Sequence, residues 1–402
     1  MTDTDPAPWR YARPGSPLGA LERGRGLGWA LALADPAAGA EALLDCLRRD
    51  TRWDWGVDQR AGYHAFLVTE LALPADPLTD LLDGPDAYGS ARARETLAEL
   101  ALLGSAPARA ALRRYVRYGE WWQETLTLLA GRWPLPWWDD LRPAALGRLG
   151  GERPVYWRAA PWPRWQPEPP SAPRPPRPVP LAPRTGRLLA ALADPGTAPD
   201  DRAEALRALA CRPVDPAGLL PLITESATAD HAPAGLHDAV RRLGPAALAP
   251  AREWAAADHP ALRRLGLQVL AEHGGNTELP LLVAELADQW ARDEWCGPKL
   301  LADGLARYGP SAAEAAPLLR RFWHTTPHSY ERPSYLRALH AIAPGAAAPL
   351  LSESLWDCEP DARLYAVRHL PDDPRFAHRL AQLRDSPAED DDLRAAAARR
   401  LG

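Results

Sequence analysis

Tryptophan is the residue type that most suggests a binding site in this chain. Among its 17 tryptophans, Trp53 and Trp55 flank one aspartate, and Trp121 and Trp122 are adjacent. Successive residues of a helix diverge by about 100°, so adjacent tryptophans cannot both face the same core. One member of the Trp121-Trp122 pair is therefore expected at the surface, where tryptophan is favoured in protein interfaces. The sequence equally allows an interpretation in which these rings fill gaps between helices.

Arginines precede the second tryptophan pair. Arg113 and Arg117 are four residues apart, so a helix would carry both guanidinium groups on one face. Such a row could meet phosphate or carboxylate groups, although exposed arginine runs are usually solvated helix faces. We predict a binding face made of Trp53, Trp55, Trp121, Trp122, Arg113 and Arg117.

Motifs for metals, nucleotides and catalysis are weak in this sequence. His324 and His328 are four residues apart, but Pro327 lies between them and no third ligand is evident. The glycines from Gly24 to Gly28 follow no predicted strand, so a helix-entry turn explains them better than a dinucleotide loop. The sequence therefore predicts no catalytic residue, no metal site and no cofactor.

The composition indicates a helical protein without a membrane segment. Of the 402 residues, 46% are hydrophobic and 25% charged, which are ordinary globular values. Alanine and leucine dominate the apolar share, and both favour helices over strands. The first residues lack the apolar core of a signal peptide, and the longest apolar stretch near them is too short to span a bilayer. No membrane partner is expected.

The net charge and the cysteines indicate which class of partner and which cellular compartment to expect. The net charge is −5, and residues 1–150 and 188–402 each carry more carboxylates than basic groups. A dedicated nucleic-acid-binding protein usually has a basic domain, so nucleic acid is disfavoured as a partner. The four cysteines are far apart and form no C-x-x-C motif, which predicts a reducing, cytoplasmic location. Near-exclusive use of arginine over lysine is typical of a GC-rich bacterial genome.

One motif recurs in the C-terminal half: arginine, a small residue three positions later, and leucine four positions after that. The copies are Arg202/Ala205/Leu209, Arg263/Gly266/Leu270, Arg363/Ala366/Leu370 and Arg394/Ala397/Leu401. Each follows an acidic or proline-containing stretch that could begin a helix, and the small residue would let a neighbouring helix approach closely. Alternating Ala-Pro helices repeat at a similar interval, since Pro317 and Pro349 are 32 residues apart. Two helix types at one period predict a two-helix repeat.

This pattern resembles the HEAT or PBS-lyase type of helical repeat. The resemblance is clearest over residues 188–402 and weaker over residues 18–150. It implies an all-α fold, an α-solenoid of HEAT-like two-helix repeats interrupted by a proline-rich segment. Proteins of this class have many functions, so the resemblance implies no particular activity.

A proline-rich stretch divides the chain. Residues 154–183 contain 12 prolines, a density that no packed helix tolerates. We therefore predict an N-terminal HEAT-like segment at 1–150, a Pro/Trp/Arg-rich connection at 151–187 and a C-terminal HEAT-like segment at 188–402. Because exposed aromatic residues on a tether would promote aggregation, Tyr156–Trp165 is expected to dock on the helices. Residues 167–180 are expected to span a gap.

The predicted function is a non-catalytic adaptor or scaffold that binds another protein, because stacked repeats expose long surfaces suited to holding macromolecules. An alternative is a HEAT-like DNA glycosylase acting on alkylated bases. That resemblance implies that tryptophan and a carboxylate contact the base while arginines contact phosphate. The residues implied are Trp53, Asp54, Trp55, Asp58, Trp121, Trp122, Arg113, Arg114 and Arg117. Whether the chain has any catalytic activity stays open at this point.

Overall fold

The part of the chain that the structure describes is mainly helical. The structure is a computed structural model that describes residues 11–49, 57, 60–84, 86–165, 184–228 and 233–402. These residues form α-helices joined by short turns and 3₁₀ helices, and no β-strand occurs among them. The prediction of an all-α fold is confirmed. Within the same residues, no helix combines the length and apolarity that crossing a membrane requires.

The helices group into two compact units, each assembled from separate parts of the sequence. The first unit comprises residues 1–170, 323–336 and 347–402. The second unit comprises residues 171–322 and 337–346. The segments predicted from the sequence follow chain order, whereas the compact units place the C-terminal helices with the N-terminal ones.

The N-terminal part of the first unit contains ten helices within its described residues. They are α1 (Pro17–Glu22), α2 (Gly26–Ala34), α3 (Pro36–Arg48), α4 (Arg60–Glu70), α5 (Asp76–Leu82), α6 (Ala87–Leu102), α7 (Ala106–Tyr118), α8 (Trp122–Arg132), α9 (Arg142–Leu149) and α10 (Trp162–Trp165).

The remaining helices follow in chain order. Those of the second unit are α11 (Thr185–Ala193), α12 (Pro199–Ala210), α13 (Pro216–Thr228), α14 (Leu236–Leu243), α15 (Leu248–Ala255), α16 (Pro260–His273), α17 (Leu279–Ala291) and α18 (Pro298–Ala306). Three helices contain a boundary between the units: α19 (Ala316–Thr325), α20 (Arg332–Ile342) and α21 (Pro344–Ser354). The last three belong to the first unit: α22 (Pro360–His369), α23 (Ala377–Asp385) and α24 (Asp391–Leu401).

The four copies of the repeated arginine motif lie on four of these helices, α12, α16, α22 and α24. Three of the helices begin at a proline, namely Pro199, Pro260 and Pro360, and α24 begins just after Asp390. Proline in the first turn sacrifices no helical hydrogen bond, and acidic residues there favour the positive end of the helix dipole. The helix starts expected from these acidic and proline-containing stretches are confirmed.

The small residue of the motif allows close helix packing in the second unit. A Cβ atom added to Gly266 on α16 would lie 2.4 Å from the backbone nitrogen of Ala255 on α15. It would also lie 2.7 Å from the carbonyl oxygen of Ala251. Only glycine lets the two backbones come this close, which is the packing role predicted for this position.

Helices pack against their neighbours in sequence and against the next helix but one. Adjacent contacts include α6 with α7, α15 with α16 and α23 with α24. Next-but-one contacts include α4 with α6, α12 with α14, α16 with α18 and α22 with α24. In the first unit these contacts bury a shared hydrophobic core that runs from Leu21 to Trp165 and includes Cys358.

In the first unit, backbone contacts join the N-terminal helices to the C-terminal ones. The backbone N–H of Cys358 donates to the carbonyl of Gly24 at 2.8 Å. A Cβ atom on Gly26 would lie 2.1 Å from the carbonyl oxygen of Glu353, so α2 contacts the end of α21 directly. Nearby, the fully buried guanidinium of Arg332 forms an ion pair with Asp357 at 2.7 Å. These contacts explain why residues 347–402 belong to the same unit as the N-terminus.

Candidate protein-binding surface

The adjacent tryptophans at the start of α8 differ in their exposure to solvent. Trp121, which precedes the helix, keeps 36% of its surface exposed, whereas Trp122 at the first helical position is 7% exposed. This difference in exposure follows from the angle between successive side chains. The surface position expected for one of the two residues is therefore found at Trp121.

Trp122 belongs to a row of tryptophans in the core of the first unit. Its ring contacts Trp162 edge to face, with ring centroids 6.2 Å apart. Trp162 contacts Trp165 at 5.8 Å, and Trp165 contacts Trp138 at 5.7 Å. Edge-to-face and tilted ring pairs at these separations add to the stability that burial alone provides.

This tryptophan core anchors the start of the proline-rich segment. Trp162 and Trp165 are 1% and 3% exposed. The indole N–H of Trp165 donates to Asp139 at 2.9 Å, and the Arg142 guanidinium donates to the Trp165 carbonyl at 3.1 Å. The expected docking of Tyr156–Trp165 on the helices is confirmed for its C-terminal half. The segment expected to span a gap, residues 167–180, lies outside the described residues.

Anchoring of this segment leaves apolar and aromatic side chains exposed beside Trp121. Val155 is 68% exposed and Tyr156 is 41% exposed. The backbone N–H of Val155 donates to the side-chain oxygen of Gln123 at 2.9 Å, which fixes this strip next to the start of α8. Tyr118, at the end of α7, is 79% exposed. We call Tyr118, Trp121, Val155 and Tyr156 the aromatic surface.

A buried arginine supports the aromatic surface from beneath. Arg94 on α6 is 7% exposed, and its guanidinium donates to the carbonyl of Trp121 at 3.1 Å. Burial lowers the pKa of Arg94, while the nearby Tyr115, Glu124 and Tyr156 act in the opposite direction. The hydrogen bond from Arg94 thus holds the backbone of Trp121 in place beneath the aromatic surface.

Trp157 extends the exposed strip and is held between two arginines. Arg153 lies 3.6 Å and Arg158 lies 4.6 Å from the centroid of its ring. Cation–π contacts of this kind restrict a half-buried indole without removing it from solvent. Exposed tyrosine, tryptophan and arginine together form the residue mixture typical of energetically important interface positions.

The two predicted arginines lie together on α7, and both donate hydrogen bonds within the first unit. Arg113 forms a two-pronged ion pair with Asp140 and also donates to the carbonyl of Trp137. These hydrogen bonds hold the pKa of Asp140 below its usual range. Arg117 donates to the carbonyl of Arg113 at 3.3 Å. The charge of Arg113 is therefore balanced by a carboxylate of the same unit.

The other predicted site residues, Trp53 and Trp55, lie outside the described residues, as do Asp54 and Asp58. The structure places Val155 beside Gln123 at the start of α8, two residues after Trp121, and the sequence did not identify Val155 or Tyr156 as parts of a binding face. Their one sequence signal was the presence of aromatic residues within the proline-rich stretch, because such residues need a partner surface.

The two histidines considered as metal ligands do not share a helix. His324 lies on α19, which ends at Thr325, and His328 lies beyond it. Among the residues that the structure describes, no group of three histidine, cysteine, aspartate or glutamate side chains could hold a metal ion. Gly24, with φ +65°, forms the turn that leads into α2.

Comparison of the chain with protein-family models and with curated proteins finds no match.

Proposed function

We propose that this chain is a non-catalytic adaptor that holds another protein on an α-solenoid of HEAT-like two-helix repeats. Two observations support the repeat architecture. The arginine motif falls on α12, α16, α22 and α24, and helices pack against the next helix but one within each unit. Stacked helical repeats use the same two kinds of contact, because each repeat buries its apolar face against the next.

The observation that carries the proposed function is the exposure of Trp121, Val155 and Tyr156 beside the buried tryptophan core. Large side chains held rigidly at a surface lose little conformational entropy on binding, so their contact area contributes efficiently to affinity. Exposed aromatic groups clustered in this way mark an interaction surface rather than a random scatter of apolar residues.

Charge favours a protein partner over nucleic acid. Arg113 is paired with Asp140, and Glu124 lies near Arg94 at the base of the aromatic surface. Phosphate binding requires unpaired cations, since the release of counterions dominates the affinity for nucleic acid. We also propose a reducing compartment such as a bacterial cytoplasm, because none of the four cysteines forms a disulfide.

The DNA glycosylase alternative stays a prediction without a structural observation in its favour. Trp122 is 7% exposed and lies in the core, which leaves it unable to stack on a base. The carboxylates and tryptophans at residues 53–58 that the alternative requires lie outside the described residues.

The proposal is tested by site-specific photo-crosslinking followed by reconstitution. A photoreactive amino acid replaces Tyr156 in the full chain, and crosslinked proteins are identified by mass spectrometry from cells of the source organism. The identified protein is then purified, and its Kd is measured against the wild-type chain and the Trp121→Ala/Tyr156→Ala variant. We expect the double variant to bind at least about 30-fold more weakly, as removal of two interface anchors should.

Tyr88→Ala provides the matched control, because Tyr88 is an aromatic residue 62% exposed on α6 outside the aromatic surface. It should bind the partner like the wild type. Equal binding by the wild type and the Trp121→Ala/Tyr156→Ala variant, with both folded by circular dichroism, would exclude this surface as the binding face. Recovery of DNA without protein would instead favour the glycosylase alternative.

A further inference from the structure

Arg379 is a buried cation of the first unit whose hydrogen bonds do not reach a carboxylate. It lies on α23 and is 4% exposed. Its Nε donates to the carbonyl of Leu355 at 3.1 Å, and its Nη1 donates to the side-chain oxygen of Gln382 at 3.3 Å. Within the described part of the chain, no carboxylate forms an ion pair with this guanidinium, and its Nη2 donates no hydrogen bond.

Some other buried arginines of the same unit are paired with an acid, whereas Arg23 and Arg94 donate to backbone carbonyls. Arg332 pairs with Asp357, Arg363 with Glu389, and Arg25 with Glu353. A buried cation without a counter-ion lowers stability, because its lost hydration is not replaced. The absence of an ion pair at Arg379 is therefore a cost that a bound anion would offset.

Three aromatic rings enclose the Arg379 guanidinium. Its central carbon lies 5.4 Å from the ring centroid of Trp29, 5.4 Å from that of Phe66 and 5.8 Å from that of Trp356. The faces of these rings attract a cation but leave its charge unneutralised. Burial lowers the pKa of Arg379 to about 10, so the group still carries its charge at neutral pH.

The same guanidinium lines a cavity of about 640 Å³ between α2, the end of α21 and α23. Trp29 and Trp356 form walls of this cavity, and Leu33, which is 40% exposed, lies on its open side. A volume of this order matches that of small-molecule sites, which are mainly apolar with a few polar groups that orient the ligand. The Arg379 cation, which forms no ion pair among the described residues, is such an orienting group.

We propose that this cavity binds a small organic monocarboxylate. Its carboxylate accepts a hydrogen bond from Arg379, and its apolar ring or chain packs against Trp29, Trp356 and Leu33. Binding supplies the counter-ion that Arg379 lacks. This site lies apart from the aromatic surface around Trp121 and does not depend on the adaptor function.

The charge pattern selects a monoanion over a phosphate. Two of the three nitrogens of Arg379 already donate hydrogen bonds inside the protein, which leaves Nη2 for a single acceptor oxygen. Glu70, Glu353, Arg375 and His378 also line the cavity. Arg375 is already paired with Asp373, so the second charge of a dianion would face the two glutamates without another unpaired arginine. Gln382 fixes the guanidinium in position, because its amide nitrogen donates to Glu70 at 3.0 Å while its oxygen accepts from Arg379.

The test compares two probes of the same shape, 2-naphthoate and the neutral 2-naphthalenemethanol, by isothermal titration calorimetry on the full chain. We expect the wild type to bind naphthoate at least about 10-fold more tightly than the alcohol, as one charged hydrogen bond allows. Arg379→Gln should lose this preference. Arg384→Gln, which removes an exposed cation from the same helix outside the cavity, should keep it.

A second pair of variants keeps the test valid if Arg379→Gln fails to fold. Leu33→Glu adds a negative charge at an exposed position of the cavity, and Leu33→Gln adds the same bulk without charge. The preference for naphthoate should fall at least about 3-fold in Leu33→Glu relative to Leu33→Gln, through repulsion between like charges. Equal binding of the two probes by the wild type would overturn the proposal, as would an unchanged preference in a folded Arg379→Gln variant.

Discussion

The Arg25 guanidinium forms an ion pair with the Glu353 carboxylate at 2.9 Å, although 328 positions separate the two residues in the sequence. Arg25 is almost fully buried, and Glu353 also accepts a hydrogen bond from the backbone N–H of Leu27 at 3.1 Å. The pair therefore links the start of α2 to the end of α21 within the first unit. Burial lowers the pKa of Arg25 and raises that of Glu353, so both charged groups are costly to bury.

This relationship predicts a non-additive double-mutant cycle. Glu353→Leu should destabilise the first unit by about 3 kcal/mol, because it leaves the Arg25 charge buried without its partner. Arg25→Met should have a similar effect. The double variant Arg25→Met/Glu353→Leu should recover much of the loss, since it removes both desolvated charges. Urea unfolding followed by circular dichroism measures the four free energies, and strictly additive losses would show that the two groups do not interact.

The tryptophan core should contribute more stability than the exposed tryptophan above it. Trp162→Ala is expected to lower the free energy of unfolding by about 3–5 kcal/mol through the cavity it creates, and Trp121→Ala by less than about 1 kcal/mol. Trp162 offers a further comparison, because its buried indole N–H has no hydrogen-bond partner among the described residues. Trp162→Phe should therefore cost less than Trp165→Phe, which also loses the bond to Asp139. Thermal denaturation of the four variants measures these losses of stability. A larger loss for Trp121→Ala than for Trp162→Ala, or for Trp162→Phe than for Trp165→Phe, would contradict the prediction.

Glycine at the contact between α15 and α16 should be required for packing. Gly266→Ala should destabilise the second unit by about 2 kcal/mol, because its Cβ would overlap the backbone of α15. Gly186→Ala is the matched control in the same unit. No heavy atom lies within 4 Å of a Cβ built at Gly186, so this change should stabilise α11 by about 0.5 kcal/mol. Urea unfolding midpoints measure both effects, and a neutral Gly266→Ala would contradict the close approach.

The buried carboxylate of Glu99 should make stability depend on pH. Burial raises its pKa above the ordinary value, with the Arg132 charge acting against that rise. The folded state thus takes up a proton before the unfolded state as the pH falls. The cost of the buried charge is present above the folded-state pKa and disappears below it. Glu99→Gln should therefore have a higher free energy of unfolding than the wild type at about pH 7. This difference should disappear near about pH 4.

The partner residue supplies the control for this pH effect. Arg132→Gln removes the charge that opposes the rise of the Glu99 pKa. The free energy of unfolding should therefore fall more steeply with rising pH in this variant than in the wild type. Chemical denaturation across the pH range measures the differences in free energy. A Glu99→Gln difference that stays constant from neutral to acid pH would show that Glu99 has the same pKa in the folded and unfolded states.

Local features were readable from the sequence because they depend on neighbouring residues. The helix starts at Pro199, Pro260 and Pro360 follow from the fixed backbone angle of proline, and the all-α class follows from composition. The different exposure of Trp121 and Trp122 follows from the divergence of successive side chains at the start of a helix. Partial docking of the proline-rich segment was predictable because exposed tryptophans need a covering surface.

The candidate sites themselves were decided by the tertiary structure. Val155 reaches Gln123 at the start of α8 only because Trp162 packs against Trp122 of that helix. The cavity at Arg379 requires side chains from α2 and α23 to meet, just as Arg25 must meet Glu353. Periodicity and capping act over a few residues, so they carry no record of which distant segment will become a neighbour. The sequence by itself therefore determined the helices and their exposed faces, and packing in three dimensions determined the surfaces and cavities they form.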